Sequence, residues 1–193
     1  MSVADRSIDP RIMESAKEEF LQKGFLDASL QEICKNAGVT TGALYKRFKG
    51  KEELFCALVE STVQDLEEVV RQKSVLPATL TDEQLKKAWD MDREYMQWWF
   101  SYLYDRYDEM RLLLVYSDGT KYANFEHEWV ENMSHTTYAY YKEAQRRGLT
   151  KTDISEKEMH VMLSAFWTAI CEPLIHGFTK EEAGRISDLM CGL

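Results

Sequence analysis

The sequence predicts an all-α protein of about nine helices, with three short helices first and a larger helical part after them. Three observations support this fold class. Only three prolines occur in 193 residues. Strict alternation of apolar and polar residues, the pattern of a half-buried strand, is not sustained anywhere along the chain. Apolar residues instead recur at helical spacing between capping motifs.

The first three helices are marked by their ends. Asp9-Pro10 places a capping residue before proline at the first helical position, and Gly24 ends the helix that follows. The sequence SLQE at 29–32 is a capping box that opens a second short helix. A third helix is expected at about 41–49.

Longer helices follow. The sequence VLPAT at 75–79 has the composition of a linker, and the capping boxes TDEQ, SEKE and TKEE each open a helix after it. The remaining helices are expected at 51–73, 81–107, 109–117, 121–147, 155–177 and from 179 onward.

Charge is distributed unevenly. The chain carries a formal net charge of -9, yet residues 1–51 hold nine lysines and arginines against seven carboxylates. Four cations fall within KRFKGK at 46–51. A mildly basic head on an acidic body indicates that the two parts meet different partners.

Composition favours a cytoplasmic protein. No run approaches the roughly 20 apolar residues of a membrane span, and the sequence MSVADRSIDP lacks the apolar segment of a signal peptide. The four cysteines are scattered without a CxxC pair, as expected of free thiols in a reducing compartment. We therefore expect no membrane association.

Two short helices joined by AGV and a tight turn predict a helix-turn-helix. Gly38 suits a left-handed turn, and Leu44 has the spacing to face the interior. The outward residues are small or hydrogen-bonding groups at the end of a helix that enters a DNA major groove. The candidate DNA-binding residues are Ser29, Thr40, Thr41, Gly42, Ala43, Tyr45, Lys46, Arg47, Lys49 and Lys51.

The stretch SLQEICKNAGVTTGALYKRFKGKEEL, together with SAKEEFLQKGF before it, resembles the DNA-binding signature of the TetR (tetracycline-repressor-like) transcriptional regulators. The resemblance covers about residues 10–55, and beyond it only the layout of helices is similar. It implies a homodimer that binds a palindromic operator in double-stranded DNA, usually as a repressor, and that a small-molecule effector releases. The implied domains are 1–50 for DNA binding and 51–193 for ligand binding and dimerisation, with 51–73 as the connecting helix.

The acidic body is rich in aromatic residues, which together with a few polar groups are typical of a ligand pocket. A plain hydrophobic core is the alternative for each ring. The rings and the acidic charge favour a flat or lipophilic effector, including a cationic one, over a phosphate or a sugar. The candidate pocket residues are Trp98, Tyr102, Tyr116, Tyr122, Phe125, Trp129, Met133 and Trp167.

Two apolar stripes near the C-terminus need a partner, either a second copy or the body's own core. The resemblance implies that the last two long helices form the dimer interface. By position this role goes to Met159, Met162, Leu163, Phe166, Ile170, Leu174, Ile186 and Met190.

Enzyme and metal sites are not predicted. The chain has no GxSxG, HExxH or Gly-rich phosphate loop, so no catalytic residues or cofactors are nominated. His127 and His135 lie eight residues apart on one helix, about 12 Å, which is too far to share one ion. The alternative function is a helical protein-interaction adaptor that is not regulated by a ligand.

Overall fold

The structure is a computed structural model that describes residues 8–74, 80–87 and 93–192. In this part of the chain every regular element is helical, which confirms the predicted all-α class. Ten helices lie within the described ranges: α1 (Ile8–Asp27), α2 (Leu30–Ala37), α3 (Thr41–Tyr45), α4 (Lys51–Ser74), α5 (Asp82–Lys87), α6 (Arg93–Tyr104), α7 (Tyr107–Val115), α8 (Phe125–Arg146), α9 (Glu156–Ile175) and α10 (Lys180–Gly192). The predicted linker at 75–79 lies outside the described residues.

Capping explains most helix starts. Ser155 and Glu158 form a complete capping box at α9. At α5, Thr81 and Gln84 exchange hydrogen bonds in the same way. The eighth helix begins at Phe125 rather than near residue 121, because the preceding residues form turns that Ser117 and Thr120 stabilise through backbone and side-chain hydrogen bonds.

The described residues divide into two compact units. The first comprises positions up to 64 together with 108–125, and the second comprises 65–107 together with 126 onward. The predicted boundary after residue 50 concerns the roles of the two parts, and it remains a prediction.

The first unit has an aromatic core. Phe20 lies edge-on to Phe55, with ring centroids 5.2 Å apart, and Phe25 completes the cluster at 5.6 Å from Phe55. The turn after α7 belongs to this unit, because the Phe25 N–H donates to the Tyr116 carbonyl at 3.0 Å. Gly119 is required in that turn, since its φ is 86° and a Cβ would lie 2.6 Å from a Leu26 methyl.

The second unit is built around indole rings. Trp167 of α9 is fully buried, with ring centroids 5.7 Å from Trp99 and 5.3 Å from Trp129. Leu103 and Ile170 are also fully buried. Trp99 and Trp129 also line the cavity described below.

Candidate nucleic-acid interface and ligand cavity

The turn between α2 and α3 is shaped by three local devices. The Ser29 hydroxyl accepts a hydrogen bond from the Glu32 N–H and caps α2. Gly38 ends α2 in the left-handed region, with φ 64° and ψ 36°. The Thr40 hydroxyl oxygen then accepts from the Ala43 N–H at 3.2 Å and caps α3. The sequence therefore sets the turn locally, as a helix-turn-helix requires.

Burial separates the inner and outer faces of α3. Leu44 is fully buried and fixes the helix on the core. Thr41, Gly42 and Tyr45 are exposed, Tyr45 at 56% of its surface. A short helix thus presents small and hydrogen-bonding groups to solvent, although α3 ends at Tyr45, four residues before the predicted end.

The four cations beside α3 fall into two kinds. Lys46 and Lys49 are exposed, and neither has an ion pair within the described ranges. Arg47 is instead held inside the unit by Asp9 of α1 and by the Ala43 carbonyl. Lys51 donates to two carbonyl oxygens, those of Leu26 at 2.8 Å and Ala28 at 3.0 Å.

These contacts change what the predicted DNA-binding residues can do. The ammonium of Lys51 has one of its three donors left after the two carbonyls, so a phosphate contact would use that one. The guanidinium of Arg47 is held by Asp9 and by the Ala43 carbonyl, so it adds positive charge near α3 without extending toward DNA. The exposed side chains of Lys46 and Lys49 can extend toward DNA phosphates.

Sequence reasoning missed a buried carboxylate, Glu19, which is 4% exposed. It accepts hydrogen bonds from Lys23 at 2.8 Å and from the Ser29 N–H at 3.0 Å. Burial alone would raise the pKa of Glu19, but these two donors outweigh it and lower the pKa below its ordinary value. Glu19 thereby ties α1 to the start of α2, a role that its place among other acidic residues of α1 did not signal.

The second unit contains a cavity of about 500 Å³, a volume typical of small-molecule sites. Most of its lining is aromatic or aliphatic, with polar groups from α5 and α8. The lining residues are Val69, Val70, Gln84, Lys87, Tyr95, Trp99, Trp129, Met133, Thr136, Thr137, Tyr140, Met159, Met162, Leu163 and Phe166.

Two of the eight predicted pocket residues, Trp129 and Met133, line this cavity. Trp98 and Tyr102 lie on another face of α6, stacked with ring centroids 5.0 Å apart, and Trp98 is 43% exposed. Trp99, the neighbour of Trp98, lines the cavity instead.

The other four do not line it. Trp167 packs behind Trp99 and Trp129 as core. The remaining three, Tyr116, Tyr122 and Phe125, belong to the first compact unit. The assignment of these four residues to a pocket remains a prediction.

The residues predicted for dimerisation occupy three environments. Four of them line the cavity: Met159, Met162, Leu163 and Phe166. Ile170 and Leu174 are fully buried, and Ile186 and Met190 are half-buried.

Large apolar side chains that face solvent on α9 and α10 include Val161 at 67%, Met162 at 58% and Leu189 at 64%. The predicted interface helices thus keep exposed apolar surface. Met162 is the most exposed of the predicted residues, and Leu163, Phe166, Ile186 and Met190 are half-buried.

Among the described residues, no cluster of three His, Cys, Asp or Glu side chains is placed to hold a metal ion. His135 faces Glu156 of α9, with Nδ1 3.0 Å from a carboxylate oxygen. None of the described helices has the length and hydropathy to cross a membrane.

Residues 12–58 match the model of the family described as bacterial regulatory proteins, tetR family. The regulator SrpR of Pseudomonas putida is 44% identical over 57 residues, which cover 30% of this chain and 27% of SrpR. The match thus spans less than a third of that relative.

Two further similarities extend over the whole chain. The repressor AcnR of Corynebacterium glutamicum is 24% identical across 100% of this chain and 97% of its own. The crystal structure of the transcriptional regulator FadR from Bacillus subtilis, in complex with stearoyl-CoA, shares the fold with a TM-score of 0.60 and 17% identity, covering 96% of both chains.

The match to DNA-binding regulators agrees with the prediction that the chain is not an enzyme. The helix-turn-helix geometry, the family match over residues 12–58 and the full-length similarity to AcnR together support the predicted resemblance to the TetR family of transcriptional regulators.

Proposed function

We propose that the chain is a ligand-responsive, DNA-binding homodimer, most simply a repressor that a small lipophilic ligand releases from a palindromic operator. In this proposal the first 50 residues bind DNA, and residues 51–193 bind the ligand and form the dimer. The observation that carries the proposal is the exposed face of α3 on a fully packed helix-turn-helix.

The DNA-binding part is supported by the arrangement of α3 and its neighbours. Thr41 and Gly42 are exposed at the start of α3, where the backbone and a hydroxyl can approach base edges. Tyr45 and Lys46 follow on the same exposed surface, where they can contact phosphates. Phosphate contacts set affinity and base contacts set sequence preference, so the two groups have separable effects.

The ligand-responsive part is supported by the cavity of the second unit. Its volume of about 500 Å³ and its apolar lining fit a lipophilic molecule. The FadR structure that shares this fold holds stearoyl-CoA, which is a ligand with a long apolar chain. Repression is the function named for AcnR, a relative that aligns over the full chain.

The direct test is selection of genomic fragments by the purified chain, followed by measurement of affinity and salt dependence. We expect enrichment of a few palindromic fragments. Tyr45→Ala should weaken binding to all of them, whereas Thr41→Ala should change which fragments are preferred. The proposal fails if no fragment is enriched, or if Tyr45→Ala binds the selected fragments with unchanged affinity.

A further inference from the structure

The described lining of the cavity is positively charged, whereas the body of the chain is acidic. Residues 52–193 carry a large excess of carboxylates, yet none of the described side chains that line the cavity is acidic. Lys87 is the one charged residue in that lining. In the described part of the chain Lys87 has no ion pair, and its neighbour Lys86 does not line the cavity.

The carboxylates that could have neutralised a cationic ligand lie elsewhere. Asp105 pairs with Lys180 at 2.7 Å. Glu128 lines a separate, polar depression beside His135. Aromatic faces attract cations, but the charged residue among the described lining residues is a lysine.

Polar groups gather on two elements of the cavity wall. On α8, Trp129 and Met133 are followed by Thr136, Thr137 and Tyr140, so the wall changes from apolar to hydrogen-bonding along the helix. Burial raises the pKa of Tyr140, and its phenol therefore stays a neutral hydrogen-bond donor.

Hydrogen bonds join the end of α8 to the start of α5. Arg147, just after α8, donates to the Leu80 carbonyl at 2.6 Å and to Asp82 at 3.0 Å. Arg147 also pairs with Glu143 at 2.7 Å, which fixes its direction. These contacts hold the start of α5 beside the end of α8, and Gln84 and Lys87 of α5 line the same cavity as Tyr140 of α8.

We infer that the cavity takes a lipophilic monoanion, with its apolar part among Trp99, Trp129 and Met133 and its anionic head beside Lys87. A carboxylate accepts hydrogen bonds only, which suits the donors of Lys87, Gln84 and Tyr140. Lys87 lines the cavity and is exposed, so its aliphatic stem can contact the wall while its ammonium stays in water. The inference rests on the proposed function and specifies the ligand class of the same cavity.

The test compares three probes that share one tail and differ in head charge: dodecanoate, dodecanol and dodecyltrimethylammonium. Trp129 and Tyr140 lie about 16 Å apart along α8, close to the length of an extended twelve-carbon chain. Dissociation constants are measured by calorimetry on the full chain, below the concentrations at which the probes form micelles. We expect dodecanoate to bind most tightly and the ammonium probe most weakly.

Two variants on α5 make the comparison specific. Lys87→Glu should weaken dodecanoate binding by about tenfold and leave dodecanol binding nearly unchanged, because only the carboxylate senses the charge. Lys86→Glu makes the same charge change one residue away, outside the lining, and should leave both affinities nearly unchanged. Equal effects of the two variants on dodecanoate, or an ammonium probe that binds as tightly as dodecanoate, would overturn the inference.

A third variant separates failure of the inference from failure of the ligand site. Met133→Trp adds volume inside the cavity and should weaken all three probes. If dodecanol binds and Met133→Trp weakens it, but head charge has no effect, the cavity is a ligand site and the monoanion is wrong. If no probe binds, or Met133→Trp changes nothing, the ligand cavity of the proposed function fails and the inference fails with it.

Discussion

The ammonium group of Lys51 donates a hydrogen bond of 2.8 Å to the carbonyl oxygen of Leu26, near the end of α1. A second bond of 3.0 Å goes to the Ala28 carbonyl. The same nitrogen lies 4.8 Å from the centre of the Phe25 ring. Lys51 therefore satisfies carbonyls that the end of α1 leaves without helical partners, in addition to any contact it makes with phosphate.

This geometry predicts that Lys51→Ala lowers both stability and operator affinity. Loss of the charged hydrogen bonds should cost about 1–2 kcal/mol of unfolding free energy. Lys46→Ala is the matched control. Lys46 is exposed, so its substitution should reduce operator affinity without changing stability. Chemical denaturation and DNA titration of both variants check this. A Lys51→Ala variant with wild-type stability would show that the carbonyl contacts contribute little.

A pair of neighbouring tryptophans should respond differently to substitution. Trp99 lines the cavity, whereas Trp98 is partly exposed and stacked on Tyr102. Trp99→Phe should weaken dodecanoate binding several-fold, because it removes apolar contact area from the cavity wall. Trp98→Phe should leave the affinity unchanged. Calorimetry measures the dodecanoate affinity of both variants. A larger loss of affinity for Trp98→Phe would place the ligand on the other face of α6.

Dimerisation through α9 and α10 is best tested at residues that do not line the cavity. Val161 and Leu189 are exposed apolar side chains on these helices. The double variant Val161→Glu with Leu189→Glu should sediment as a monomer and lose most operator affinity, since charges would be buried without partners. Leu26→Glu is the control, because Leu26 is equally exposed but lies in the first unit. A double variant that still sediments as a dimer would contradict the predicted interface.

Stability should also depend on pH through Glu126. Burial, and to a smaller extent the nearby Glu172, raises the pKa of Glu126 above its ordinary value. The folded state therefore binds this proton more tightly than the unfolded state. The resulting stability is present in acid and is lost as the pH rises through the raised pKa.

Glu126→Gln should accordingly raise Tm at pH 7 by about 1–2 °C, and this gain should shrink by pH 4. Glu128→Gln, at an exposed position on the same turn, should change Tm at neither pH. Calorimetric scans at both pH values check this. A gain that is equal at the two pH values would rule out ionisation of Glu126 as its cause.

The sequence was sufficient for features that depend on local chemistry. The sequence identifies Gly38, Ser29 and Leu44 because a left-handed turn, a cap and an inward apolar residue each require particular residue types. These devices act over a few residues, so their pattern can be read without the rest of the fold.

Features that depend on tertiary contacts were not predictable. Trp98 and Trp99 differ by only one helical step, and α6 is apolar on several faces, so the sequence did not decide which one lines the cavity. The bond between Lys51 and Leu26 joins residues that are 25 positions apart. The same reason explains why the sequence did not show that Met159 and Phe166 line the cavity, while their predicted role in a dimer interface remains a prediction.

Filling the cavity should release DNA, and the fluorescence anisotropy of a labelled operator fragment measures this release. The fragment is one selected by the chain itself, and dodecanoate is added while calorimetry reports how far the cavity is filled. We expect anisotropy to fall to that of free DNA as the cavity fills, and Lys87→Glu to require about tenfold more dodecanoate. DNA that stays bound when the cavity is full would contradict the account.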